Sequence, residues 1–413
     1  MIDTSDLRRF KRPSLGLAPD ARWLFYAMLT WEFGYGCYNA IQTLFIKSLG
    51  ATDLQIGLLI GIQGIIRVAI TLPSGILADK FSRRTIMIWS TAAGVPACIV
   101  AGLAQTWLQL LPGLILLLVS GVGTPAITAY IAQMSTKENR ARNFTFIYTF
   151  GPAIGLIVAP ALGGFLADRI AMRAVFFASA TLYLAATYFF TRVSERPLPQ
   201  SDHSAPSYRE AIGEPVVRRV AMLMFVVLAA CTMGVTFLPN YLSEVHGLNV
   251  GTIGRLFSVA AIGTVLISQA TTKLRWITPV RGIAIGTLAV AIACVTTVAT
   301  GNLWILAFAF LGRGGFMVAW TMIYVVLGDV TPDRLRARAF AFSDFLGGIG
   351  VGLTPFAAGA VYGWNHDAPL LILGGLAPLI AVVAFTLERT HIRPAHAARL
   401  RELEMLVPRV QPV

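Results

Sequence analysis

Charge is what this 413-residue sequence has least of: Asp, Glu, Lys and Arg make up 13%, where a soluble domain carries about a quarter. A soluble enzyme is excluded on that count, and hydrophobic residues at 56% say the same. From residue 85 to residue 136 there is no charged side chain at all. That run is about twice the roughly 20 residues that one bilayer crossing needs, so the chain crosses at least twice there and turns near residues 105–109. Further uncharged runs at 143–167, 174–191, 220–243, 256–272, 282–312, 345–365 and 368–387 each suffice for one helix. Cysteine is scarce too. Cys37, Cys98, Cys231 and Cys294 all sit in apolar segments, where a thiol behaves as a small hydrophobe, so no disulfide framework is implied. Five histidines scattered through loops and tails, with no phosphate-cradling Gly-rich loop, support neither a metal centre nor an enzyme, and no cofactor is expected.

What charge there is has a pattern. The formal net charge of +13 raises nucleic acid as a partner, but the basic residues fall in alternate loops. Arg8, Arg9, Lys11, Arg12 and Arg22 lead the chain, followed by Lys80, Arg83, Arg84, then Lys137, Arg140, Arg142, then a middle loop with Arg192, Arg196, Arg209, Arg218, Arg219. The alternation continues through Lys273, Arg275, Arg281, through Arg334, Arg336, Arg338, and into a basic tail, while Lys47, Arg169 and Arg173 occupy the loops between. The positive-inside rule then puts both termini in the cytoplasm and requires an even number of crossings. The basic leader precedes an apolar stretch interrupted by Glu32, too long for a signal-peptide core, so no cleavage is expected. Lipid bilayer, not nucleic acid, is the expected partner.

Hydropathy and turns predict twelve helices, at 22–47, 53–79, 84–104, 109–136, 142–167, 172–191, 218–243, 251–272, 280–299, 303–330, 338–363 and 368–388. Between the sixth and seventh the composition changes to Pro197, Pro199, Pro206 and Pro215 among polar residues, marking a surface linker at 192–217 between halves 1–191 and 218–413. Ser207, Tyr208, Arg209 and Glu210 have capping-box spacing and predict a short helix there. The halves repeat. Arg140-Ala141-Arg142-Asn143-Phe144 recurs 196 residues later as Arg336-Ala337-Arg338-Ala339-Phe340, and Gly50 and Gly57 flank a segment matched by Gly247 and Gly254. Six helices separate the copies, so both halves have the same orientation: an all-α membrane protein of two parallel six-helix bundles, with a site expected at the midplane between them.

After the second helix stands Gly75-Ile76-Leu77-Ala78-Asp79-Lys80-Phe81-Ser82-Arg83-Arg84. Gly75 permits close helix packing, and Asp79 can pair with an inner-loop arginine in only one of two packing states. Here the chain resembles the major facilitator superfamily, whose loop signature reads Gly-x-Leu-Ala-Asp-basic-x-Gly-Arg-basic, with Ser82 in place of the glycine. The resemblance implies a secondary transporter and gives Asp79 and Arg83 the role of a latch favouring the outward-facing form, with Arg142 and Asp329 as further gating candidates. The second copy of this loop, residues 273–281, has no aspartate. Where family members often carry an acid at the inner end of helix 4 this chain has Gln133, and Asp329 holds the matching place on helix 10. Gly151, Pro152 and Gly155 resemble the helix 5 motif of bacterial drug:proton antiporters, with Ile147 in place of an earlier glycine, and permit a kink and close approach.

Ionisable residues inside the membrane point most directly to function, since each costs roughly 2.5 kcal/mol or more at a helix centre. Glu32 lies about ten residues into the first helix, near ~15 Å depth, with Tyr35, Asn39 and Gln42 at helical spacing as one polar stripe. Gln63, Arg67 and Thr71 make a second stripe on helix 2, and Glu32 and Arg67 at similar depth are expected to pair. Arg313 is near the middle of helix 10, placed for an anionic group or for packing. Asp344 is expected at the inner gate. Thr232, Thr236 and Asn240 on helix 7, with Trp320 and Tyr324 on helix 10, complete the expected cavity wall, where aromatics can meet an apolar or cationic ligand or simply pack.

Three readings follow. The first is proton-coupled efflux of a small amphipathic compound by alternating access, with Glu32 exchanging the proton, in a monomer of the bacterial inner membrane. The second, in the same fold, is uptake or exchange of an anion held by Arg67 and Arg313. The third is a membrane sensor or scaffold that transports nothing.

Overall fold

The computed structural model describes residues 17–136, 139–196, 208–274, 276–332 and 334–406. The side chains of residues 71–80 lie outside the described set, and with them the Gly75 and Asp79 side chains. So do residues 1–16 of the leader, Lys137, Arg275 and the Ser207 end of the linker motif.

Every regular element among the described residues is helical, and the crossing helices follow one another across an apolar slab. They are α1 (Pro19–Asn39, continued as Gln42–Ser48), α2 (Asp53–Lys80), α3 (Arg83–Leu103) and α4 (Leu110–Ser120 and Thr124–Met134). Next come α5 (Gly151–Arg169, preceded by residues 140–150), α6 (Met172–Thr191), α7 (Pro215–Val235 and Leu238–Glu244) and α8 (Val250–Lys273). The last four are α9 (Pro279–Ala299), α10 (Leu303–Arg313 and Gly315–Val330), α11 (Arg336–Trp364) and α12 (Ala368–Leu387). Among the described residues, eleven spans are long and apolar enough to cross a membrane. The twelfth, α1, has the length but carries Arg22, Glu32 and Asn39 among its aromatics, so its composition is too polar to qualify alone. It packs against α5 and α6.

The repeat seen in the sequence governs the backbone. Gly50 and Gly247 both adopt positive φ, 85° and 65°, a conformation glycine enters without the steric penalty of a Cβ. Both turn the chain between the first and second helix of a half. α1 breaks at Ala40–Ile41 and α7 at Thr236–Phe237, again 196 residues apart. α4 breaks at Gly121–Gly123 and α10 at Gly314. Four helices predicted as continuous are thus interrupted, at equivalent places in the two halves.

The halves meet along two seams, α2 against α11 and α5 against α8. Both are made by small residues. A Cβ on Gly57 would come within 2.3 Å of the Pro355 carbonyl oxygen, and one on Gly254 within 2.3 Å of the Pro160 carbonyl oxygen, so only glycine lets these backbones touch. The short helix Tyr208–Gly213 sits in the linker as predicted. Beyond α12 a π-helical turn, Glu388–Ile392, leads to a tail helix, Arg393–Leu406. Its Arg399 donates to the Gly328 carbonyl at 3.1 Å, satisfying an otherwise open carbonyl in the last turn of α10.

Candidate functional site

The broken helices surround the polar centre. Glu32 stands in the middle of α1, held there by three close neighbours. Gly155 on α5 leaves so little room that a Cβ on it would lie 3.3 Å from the Glu32 Cβ. The Ser179 hydroxyl of α6 donates to the Gly34 carbonyl at 2.9 Å, and Trp31 donates to the Ser120 hydroxyl at 3.0 Å, at the break of α4. Pro152 has no amide for the Tyr148 carbonyl, and the turns before it widen into a π-helical stretch, Thr145–Phe150, a feature frequent at functional sites. That stretch presents the Tyr148 hydroxyl to Thr128 at 2.8 Å. Gly151 and Gly155 both face α1, so the helix 5 motif works on the helix that carries Glu32.

Glu32 makes no hydrogen bond or ion pair among the described residues. The expected pair with Arg67 is therefore corrected: the two lie within electrostatic reach, but no contact of 4.0 Å or less joins them. Arg67 is exposed, and its charge is spread over groups from both halves: Glu32 and Tyr35 on one side, Tyr324 and Asp344 on the other. The continuous stripe on α1 is corrected as well. Tyr35 stacks on Trp31 with centroids 6.3 Å apart, and Asn39 is exposed at the end of α1. Gln42 falls after the break, where its amide donates to Gln63 of α2 at 3.1 Å.

The opposite wall comes from the second half. Trp320 donates to the Tyr324 hydroxyl at 3.2 Å, and Tyr324 donates to the Asp344 carboxylate. Asp344, expected at the inner gate, thus accepts from this aromatic wall and also has Arg67 within electrostatic reach. Arg313 lies on the face of Phe257, 4.4 Å from the ring centroid. Thr236 donates to the Thr232 carbonyl at 2.6 Å at the break of α7. Asn240, just past it, is fully buried, and neither end of its amide has a partner.

The two ends of the bundle differ. At the end away from the basic loops, Lys47 bridges Asp53 of its own half at 2.8 Å and Glu244 of the other half at 2.6 Å. Tyr362 donates to Glu244 at 3.1 Å, and Asn249 donates across the halves to Asp168 at 3.2 Å. Beneath them the extension of α1 packs on that of α7, burying Thr43 as well as Asn240. At the basic end several bonds among the described residues run within one half. Arg83 is buried and donates to the Ala129 carbonyl at 3.0 Å and to Gln133 at 2.9 Å, and Arg84 to the Thr191 carbonyl. Arg196 and Tyr130 hold Asp20. Arg142 lies over Phe146. Asp329 is exposed, and its carbonyl faces His396 of the tail helix at 3.4 Å. Sequence reasoning missed the Lys47 cluster. Its signal was present, since Lys47 is the lone cation in its loop, with acids at the ends of the neighbouring helices.

Two pseudo-symmetric halves with matching broken helices around a charged centre define a membrane transporter. The family model described as Major Facilitator Superfamily matches residues 23–278 and 220–407, and the chain belongs to that superfamily. It is 22% identical over 380 residues to the quinolone resistance protein NorA of Staphylococcus aureus, covering 89% of this chain and 96% of NorA. It is 28% identical over 247 residues to the multidrug resistance protein MdtG of Citrobacter koseri, covering 56% of this chain and 60% of MdtG. A match to an MFS-type transporter of Methanocaldococcus jannaschii, at 26% identity, spans only 37% of this chain and 40% of that relative. Among solved structures, a bacterial homolog of the human lysosomal transporter Spinster in an inward-facing conformation superposes with a TM-score of 0.72 at 19% identity, covering 92% of this chain and 99% of that one. The peptide transporter POT in complex with sulfate gives 0.77 at 15%, covering 93% and 97%.

Proposed function

We propose that this transporter exports small amphipathic compounds in exchange for protons, with Glu32 as the proton-exchanging group. The observation that carries the reading is that Glu32, deep in a crossing helix, has neither a hydrogen bond nor an ion pair among the described residues. An ionised carboxylate is costly at that depth without a partner, so the side chain is suited to take and release a proton as its surroundings change. Arg67, within electrostatic reach of acids from both halves, is placed to feel which half is closer. Drug-resistance relatives such as NorA and MdtG favour efflux, and the aromatic wall of Trp31, Tyr35, Trp320 and Tyr324 suits an amphipathic substrate.

In this reading the basic end, with both termini, is cytoplasmic by the positive-inside rule. The arrangement described above, fastened at the far end, is then the inward-facing one, and the two halves rock about the central site in a monomer of the bacterial plasma membrane. Asp79, Arg83 and Arg142 belong to the opposite latch, engaged when the basic end closes.

The test is flux in proteoliposomes of a panel of amphipathic compounds, with and without an imposed pH gradient. The reading expects gradient-driven movement that Glu32→Gln reduces at least tenfold. Gradient-driven transport that survives Glu32→Gln unchanged removes the coupling role, and movement of no compound favours the sensor or scaffold.

A further inference from the structure

The two arginines in the core of the bundle are differently placed. Arg67 is exposed and has the carboxylates of Glu32 and Asp344 within electrostatic reach. Arg313 has no ion pair among the described residues. Its guanidinium rests on Phe257 at 4.4 Å, and its Nε is buried without an acceptor. The titratable groups that reach it are Cys294 and Tyr35, neither of them an acid at neutral pH. Arg313 is ten residues into α10, about 15 Å from the helix start, too deep for a lipid headgroup to reach. It also immediately precedes the break at Gly314, where backbone contacts are already rearranged and the Gly314 carbonyl is taken by Thr264 at 3.2 Å.

A guanidinium in the interior with its face on an aromatic ring and no carboxylate beside it is a charge awaiting a counterion. Cation–π contact on one face leaves the edge free, and the edge is the part of arginine that grips a carboxylate through two parallel hydrogen bonds. Tyr35 lies within electrostatic reach of both Arg313 and Arg67 and carries a hydroxyl, with the Trp31 ring stacked on its own.

We infer that Arg313 is the anion-recognising residue of this transporter, seating a carboxylate of an aromatic or otherwise amphipathic substrate against Tyr35, with Phe257 and Trp31 lining the apolar part. This rests on the export reading above and narrows its substrate class to compounds bearing an anionic group. Arg67, compensated by Glu32 and Asp344, is left to the proton.

Equilibrium binding to purified protein in nanodiscs separates the possibilities, using 2-naphthoate, its neutral amide 2-naphthamide, and the cation tetraphenylphosphonium. Wild type is expected to bind naphthoate at least tenfold more tightly than naphthamide. Arg313→Gln should abolish that preference and leave tetraphenylphosphonium binding as tight or tighter, while Arg313→Lys retains part of it. Tyr35→Phe, which keeps the ring, should cost three- to tenfold for naphthoate and little for naphthamide, and it serves as the independent arm where Arg313→Gln does not fold. No naphthoate preference in wild type, or equal loss of all three probes in Arg313→Gln and in Tyr35→Phe, overturns the inference. Because binding is read without flux, a protein that prefers naphthoate but moves nothing contradicts the export reading alone, and one that moves tetraphenylphosphonium without preferring naphthoate contradicts this inference alone.

Discussion

Among the described residues, the two ends of this molecule show different kinds of contact. At the far end the named contacts run between the halves: Lys47 to Glu244, Asn249 to Asp168, the α1 extension to the α7 extension. At the basic end several contacts among the described residues run within a half: Arg83 to Gln133, Arg84 to the end of α6, Arg196 to Asp20, Arg399 to the end of α10. A transporter that opens alternately needs both kinds. Bonds within a half keep it rigid while it moves, and bonds between halves must be strong enough to close a gate and weak enough to release it. The Lys47 cluster fits the second requirement, since its members are about a fifth to a third exposed and such pairs are worth about 1 kcal/mol or less each. Below it Thr43 and Asn240 are buried with unpartnered polar atoms, each costing about 1–3 kcal/mol. The far end is thus held by a few modest bonds and opposed by buried polar groups that water would satisfy if it opened.

The largest effect expected on this balance comes from the seams along which the halves meet. Gly254→Val puts side-chain atoms into the Pro160 carbonyl, and transport should fall at least tenfold with a lowered melting temperature; ordinary flux and stability would mean that α5 and α8 need not touch. Next is Glu244→Gln, which weakens the bridge to Lys47. Reaction of Thr43→Cys with a membrane-impermeant maleimide from the far side should rise three- to tenfold, and unchanged labelling would remove the cluster from the gate. The smallest effect expected is from Asn240→Leu, which removes the unpartnered amide while keeping the volume. It should favour the closed far end, slowing turnover two- to fivefold and reducing the same labelling; faster opening would show that the amide helps hold the end shut.

Much of this architecture was legible in the sequence because it follows from the bilayer. Uncharged runs gave the helices, and the predicted ranges 172–191 and 303–330 coincide with α6 and with both parts of α10. The match of Gly50 and Gly57 with Gly247 and Gly254 marked the repeat, and the structure gives those glycines their reason, two at positive-φ turns and two in the seams. The breaks in α4 and α10 fall at glycines, Gly121, Gly123 and Gly314, whose helix-weakening signal was not used, whereas those in α1 and α7 were not legible, since Ala40 and Ile41, Thr236 and Phe237 carry no breaker and the interruption is imposed by packing. For the same reason the stripe from Glu32 to Gln42 was read as continuous. The placement of Asp344 needed the third dimension, as its distance from the basic loop is a helical count while its neighbour Tyr324 lies on another helix. Contacts of long sequence separation, Lys47 with Glu244 above all, leave no periodic trace in the chain.

The measurement that bears most directly on the contrast between the ends is the distance between spin labels at Leu54→Cys and Val245→Cys, exposed positions on opposite halves at the far end, taken at high and low pH with and without a transported compound. Alternating closure predicts two populations, a short one corresponding to the fastened end described here and a longer one, with their ratio shifted by pH in wild type and insensitive to it in Glu32→Gln. A single short distance under all conditions, in protein shown to transport, would contradict it.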